Sequence, residues 1–161
     1  MHYARFFAMI ATSAVVMFGL MYLNTYELDH VLFSETRAWM ALLMGAVMAI
    51  VMMGFMWGMY SDPRLNAAIV VGAVAVAAGS LWLVRSQITV DDTSYMEAMV
   101  PHHSIAILTS RRAQIKDPRV RKLADAIIET QLREIDEMKD LLADLGRNPT
   151  PASADILLPG K

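Results

Sequence analysis

The chain has 161 residues, of which 56% are hydrophobic, and its mean hydropathy of +0.40 is too high for an ordinary soluble domain. The 14 Lys and Arg against 16 Asp and Glu leave a net charge of −2; acids interrupt every basic cluster, so no cationic stripe points to a nucleic-acid partner. There is no cysteine, which excludes disulfides and thiolate metal sites and leaves methionine and histidine for any soft-metal chemistry.

Three apolar stretches open the chain, at residues 6–23, 38–60 and 67–84, each close to the roughly 20 residues a helix needs to cross ~30 Å of hydrocarbon. They predict membrane spans within a transmembrane region over residues 1–85, with membrane lipid as the first partner. Arg5 ahead of the first stretch imitates a signal peptide, but Asn24, Thr25, Tyr26 and Glu27 follow it without a small-residue cleavage site, so a retained anchor is expected. Flanking charge leaves orientation undecided: Arg5 and Arg64 on one side balance Arg37 and Arg85 on the other.

Seven of the twenty residues from Met40 to Met59 are methionine, and Met40, Met44, Met48, Met52 and Met56 recur every fourth position. Trp39 and Trp57, 18 residues apart, fall on one face as interfacial anchors ~27 Å apart along the axis. If that face meets lipid, the methionine row faces the bundle, where Met17 and Met21 of the first span can meet it. Two readings are open: flexible packing of an internal helix, or a membrane path for a soft cation through Met17, Met21, Met44, Met48, Met52 and Met56. Three spans with Met-x-x-x-Met on the second are similar to eukaryotic high-affinity copper uptake transporters, an analogy of pattern only. Gly54 with Gly58, Ala68 with Gly72 and Ala75 with Gly79 offer close-approach surfaces.

Residues 86–93 read as a linker, residues 94–146 as a two-helix antiparallel hairpin, and residues 147–161 as a poorly ordered, flexible tail. Asp91, Asp92, Thr93 and Ser94 offer N-caps for a first helix running to about Ile115, which Pro101 should bend. Asp117 and Pro118 open a second helix, and Gly146 is placed to end it. The predicted seam of that second helix runs Val120, Ala124, Ile127, Gln131, Glu134, Met138, Leu141, Leu145. Gln131 and Glu134 are polar where leucine would pack better.

Antiparallel pairing sets Met96 opposite Met138, Met99 opposite Glu134 and His103 opposite Gln131. Met96, Met99 and His103 share a helix face, whereas His102 is rotated by about 100° from His103. Thioethers and imidazoles together form a soft, neutral donor set suited to Cu(I), and by extension Ag(I), rather than Mg²⁺ or Ca²⁺. Glu134 could complete a harder site or orient a histidine. A di-iron bundle would want inward glutamates and Glu-x-x-His pairs, and the chain is read as having no such pair, which sets that alternative aside.

"MVPHHSIA" (Met99 to Ala106) and "QLREIDEM" (Gln131 to Met138) resemble the DUF305 family, whose core reads Met, two or three residues, His-His, a small residue, and then a helix with Gln, Glu and Met in series. "MYLNTYELDHVLFSETR" resembles the membrane-anchored subgroup. The resemblance implies an all-α fold in which the hairpin is half of a ferritin-like four-helix bundle. It also implies a homodimer or higher oligomer, and a role in copper binding and tolerance. It carries over Met99, His102, His103 and Met138 as copper ligands, with Met96 added and Gln131 and Glu134 as polar supports. The family's export places the chain in a bacterial inner membrane, amino terminus cytoplasmic and hairpin periplasmic. A non-enzymatic copper-handling protein is the expectation; a copper-conducting channel using the methionine row, and a metal-free structural or partner-binding module, are the alternatives.

Overall fold

The structure is a computed structural model that describes residues 2–151 and 153–157. The chain is all-helical: α1 (Tyr3–Leu20), α2 (Glu35–Met56), α3 (Pro63–Ser86), α4 (Asp92–Arg112) and α5 (Pro118–Arg147), with short 3₁₀ turns at Leu28–His30 and Trp57–Met59. The caps explain the starting points. Ser34 accepts the Arg37 N–H, Asp62 the Arg64 and Leu65 N–H groups ahead of Pro63, Asp91 the Ser94 N–H, and Asp117 the Arg119 N–H ahead of Pro118. Each such cap satisfies a donor the helix cannot, for about 0.5–2 kcal/mol. Gln87, in the left-handed conformation at φ 52°, ends α3.

The first three helices are long and apolar enough to cross a membrane. α2 is the middle element, packed on α1 and on α3, and one core joins Phe6, Ala49, Met53, Tyr60 and Ala73. The buried seam of α2 is Ala41, Gly45, Ala49 and Met53. The methionine row expected to face the bundle borders this seam without forming it, with Met52 and Met56 packed against the core. Met40, Met44, Met48, Met52 and Met56 lie one residue round the helix and are half-buried. The reason is steric: at Gly45 a methyl group would already stand 3.3 Å from the Ala14 Cβ, so α1 approaches where the side chains are smallest. Gly54, Gly58, Gly72 and Gly79 face open space within the chain, so the predicted close-approach pairs make no contact there.

The hairpin forms as the caps predict, with two adjustments. Pro101 is buried inside α4, which continues through it without interruption, and Gly146 remains helical, the end being set by Asn148. The hydrophobic seam of α5 keeps Ala124 and Met138 of the predicted set but is turned by one residue at its centre, to Ile128, Leu132 and Ile135. Its fully buried centre is Ile135, packed with Val100 and Ile107 of α4, while Val120 and Leu141 of the predicted seam are exposed. Burying Ile135 keeps the Glu134 carboxylate at the edge of the interface, where its desolvation is incomplete.

The other side of that hairpin core is closed by the α1–α2 loop. Tyr26 and Leu32 pack against it, Ser104 Oγ accepts the Tyr26 N–H at 2.7 Å and lies 3.0 Å from His30 Nδ1, and Lys139 pairs with Asp29 at 2.6 Å. Arg111 donates to the Tyr26 hydroxyl. The three apolar helices and the hairpin are thereby linked through this loop. Of the expected tail, Ala152 and residues 158–161 lie outside the described residues. Within the rest, Thr150 Oγ1 donates to Asp92 and Ile156 and Leu157 are exposed.

Candidate metal centre

The α4–α5 interface opens into a cavity of about 500 Å³ lined by Met96, Met99, His103, Glu134 and Met138, with Tyr95, Leu141 and Leu145 and the carboxylates of Asp92, Glu137 and Asp144 also on its wall. Helical spacing accounts for the gathering: Met96, Met99 and His103 lie at steps of three and four on α4, as do Glu134 and Met138 on α5. The antiparallel turn at residues 113–117 lays one set against the other. Met96 is buried, and Met99 and Met138 are half-buried.

His103 meets Glu134 rather than Gln131. Its Nδ1 lies 3.1 Å from Glu134 Oε2, with the imidazole 15% exposed. The contact is at ion-pair distance but without hydrogen-bond alignment, so among the described residues Nδ1 is a buried nitrogen lacking a hydrogen-bond partner. Gln131 acts one step behind, donating from Nε2 to the same Oε2 at 3.1 Å. Burial pushes the His103 pKa below the ordinary imidazole value; the Glu134 carboxylate opposes that shift and the neighbouring His102 adds to it. A neutral imidazole at neutral pH is the form that donates a lone pair to a metal.

His102 points elsewhere. It is exposed, its ring centroid is 6.2 Å from that of His103, and it lines a second cavity of about 300 Å³ between α4, α2 and the α1–α2 loop. Of the proposed membrane path, Met21 and Met44 line that second cavity. Met52 and Met56 pack beside the Phe6–Met53 core, and Met17 and Met48 are half-buried. Neither of the two cavities described gathers all six.

Sequence reasoning overlooked the loop. Glu27 and His30 form a Glu-x-x-His pair outside the hairpin, and ligand atoms of Glu27, Asp29 and His30 lie within 4.8 Å of one another. Two of the three side chains also hold other partners: His30 Nδ1 contacts Ser104, and Asp29, whose hydrogen bond to Lys139 holds its carboxyl below the usual value, is tied to α5. Those two contacts dock the loop onto α4 and α5. The small residue after the paired histidines was the signal, since Ser104 is fully buried and only a short side chain with an acceptor could receive the Tyr26 N–H there.

Comparison with known proteins reaches the hairpin. The family profile described as "Domain of unknown function (DUF305)" matches residues 92–156. An uncharacterized protein, L153, of Acanthamoeba polyphaga mimivirus is 42% identical over 64 residues, which cover 38% of this chain and 42% of that protein. The chain thus matches less than half the length of this relative. No solved structure matches. The match to the DUF305 family thus falls on the helices that carry the methionine–histidine cavity, from Asp92 through Ile156.

Proposed function

We propose that the protein is a membrane-anchored, non-enzymatic binder of Cu(I), and by extension Ag(I), that contributes to copper handling or tolerance. Met96, Met99, Met138 and His103 are the donors. One observation carries the reading: three thioethers converge on one cavity with a histidine whose Nδ1 is backed by a carboxylate at 3.1 Å.

The three thioethers and the imidazole fit a soft monovalent ion; of the carboxylates on the same wall, Asp92, Glu137 and Asp144 belong to exposed residues that water solvates. Thioether sulfur is polarisable and uncharged, so it suits Cu(I) and gives little to Mg²⁺ or Ca²⁺. A small rotation of the His103 ring aligns Nδ1–H with Glu134 and leaves Nε2 for the metal. A carboxylate behind a ligating imidazole fixes its tautomer and raises its basicity, and Gln131 holds that carboxylate in place.

In this reading the three apolar helices span a bacterial inner membrane, with the amino terminus cytoplasmic and the hairpin periplasmic. Two helices supply half of a four-helix bundle, and Val120, Leu123 and Leu141 expose apolar surface on α5, so a homodimer completes the bundle. The test is anaerobic titration of the purified full chain in detergent with Cu(I), followed by metal analysis. Stoichiometric copper retained against a competing chelator supports the proposal. Absence of bound copper favours a structural or partner-binding module.

A further inference from the structure

The second cavity has a composition that helix packing alone does not require. From α4 it takes Met99 and His102, from α2 Met40 and Met44, and from the start of the α1–α2 loop Met21. Four thioethers and an imidazole thus meet at the junction between the hairpin and the membrane helices, in about 300 Å³. No carboxylate lines it.

We propose that this junction is a second soft-metal site, for a monovalent ion of the Cu(I) or Ag(I) class, adjacent to the hairpin site and in exchange with it. The proposal rests on the hairpin's being a soft-metal module. Adjacency follows from Met99, which lines both cavities. On α4, Met96, Met99 and His103 form one face, while Tyr95, Met99 and His102 form the neighbouring face turned toward α2. The paired histidines are therefore divided, one to each cavity, with the shared thioether between them. An ion can pass by exchanging ligands around Met99 without leaving a sulfur-rich surrounding.

Charge at the junction sets which ions it accepts. Arg37 also lines it, but its guanidinium is engaged: Nη1 donates to the Met21 carbonyl at 2.8 Å, and the group lies 4.4 Å from the Tyr22 ring centroid. Its positive charge repels a dication twice as strongly as a monocation at the same distance. With no carboxylate in compensation, hard divalent cations are disfavoured and polarisable monovalent ones are retained.

Position gives the site its use. Met40 and Met44 begin the α2 row that continues through Met48, Met52 and Met56 at steps of ~6 Å along the helix. The junction is where an ion on the hairpin would join that row, which makes His102 the residue linking the family motif to the membrane half.

The experiment uses the full chain in detergent under anaerobic conditions, with Cu(I) delivered against a chromophoric chelator. The parent protein is expected to hold two Cu(I) per chain. Met40→Leu with Met44→Leu conserves volume and should weaken one of the two by at least about tenfold, leaving the other unchanged. His103→Ala with Met138→Leu should do the converse. Circular dichroism and thermal unfolding in the same detergent establish that each variant is folded. Two ions with these separate losses support the junction site. A single ion insensitive to Met40→Leu and Met44→Leu overturns the junction and leaves the hairpin site standing, whereas no bound copper at all overturns both.

Discussion

Nδ1 of His103 stands 3.1 Å from Oε2 of Glu134, and Gln131 donates to that same oxygen. The two polar residues that interrupt the apolar face of α5 thus form a chain ending on the histidine. They are a support for one imidazole, placed beside the fully buried Ile135 that supplies the packing.

Glu134→Gln keeps the shape and removes the charge behind His103. Cu(I) affinity of the hairpin should fall about 10- to 100-fold, the usual effect of losing a partner that orients a ligand, with little change in helicity. Chelator competition measures it. An unchanged affinity would show that Glu134 does not position His103.

The pH behaviour of His103 follows from its burial, which disfavours the imidazolium. In the metal-free protein its NMR titration midpoint should lie below the ordinary value of about 6.5. The unfolded chain then takes up the proton more readily than the folded one. Stability is therefore unaffected above that ordinary value, declines as pH falls from it toward the folded midpoint, and levels off below. A midpoint above 6.5 would mean that Glu134 outweighs burial.

Ser104→Ala removes the acceptor of the Tyr26 N–H and the partner of His30 Nδ1 in a buried place. The cost should be about 1–3 kcal/mol, localised to the docked loop. Hydrogen–deuterium exchange should accelerate over residues 22–32 while the α4–α5 core stays protected. Uniform acceleration throughout the chain would contradict a local docking role.

Much of this architecture is legible in the sequence, because its signals are local. Asp62-Pro63, Asp91 and Asp117-Pro118 announce helix starts through side chains that bond their own backbone, and hydropathy marks the three apolar helices. The face of α2 that packs was not legible. The methionine row is the louder pattern, yet Ala41, Gly45 and Ala49 are buried, since closeness of approach between helices depends on what is small rather than on what is conspicuous. Likewise the shift from Gln131 to Glu134 as the neighbour of His103 depends on the register of α4 against α5, which the turn length fixes only to within about a turn. The docking of His30 on Ser104 spans 74 positions in the chain and leaves no periodic trace.

Gly45→Leu tests that packing directly. A side chain there collides with Ala14 and should cost about 1–3 kcal/mol through overpacking, seen as a lower unfolding temperature in detergent. Gly54→Leu, with open space around it, should leave the unfolding temperature nearly unchanged. Equal destabilisation by both would indicate that Gly54 packs against a second copy.

The most direct test of the central claim compares His103→Ala with His102→Ala in anaerobic Cu(I) competition titrations of the full chain, following the tighter-bound ion of the hairpin cavity. The account predicts that His103→Ala weakens that ion by about tenfold or more, equivalent to at least ~1.4 kcal/mol, while His102→Ala changes it by less than about threefold, ~0.65 kcal/mol on the same relation. Equal losses from the two variants, or none from His103→Ala, would contradict it.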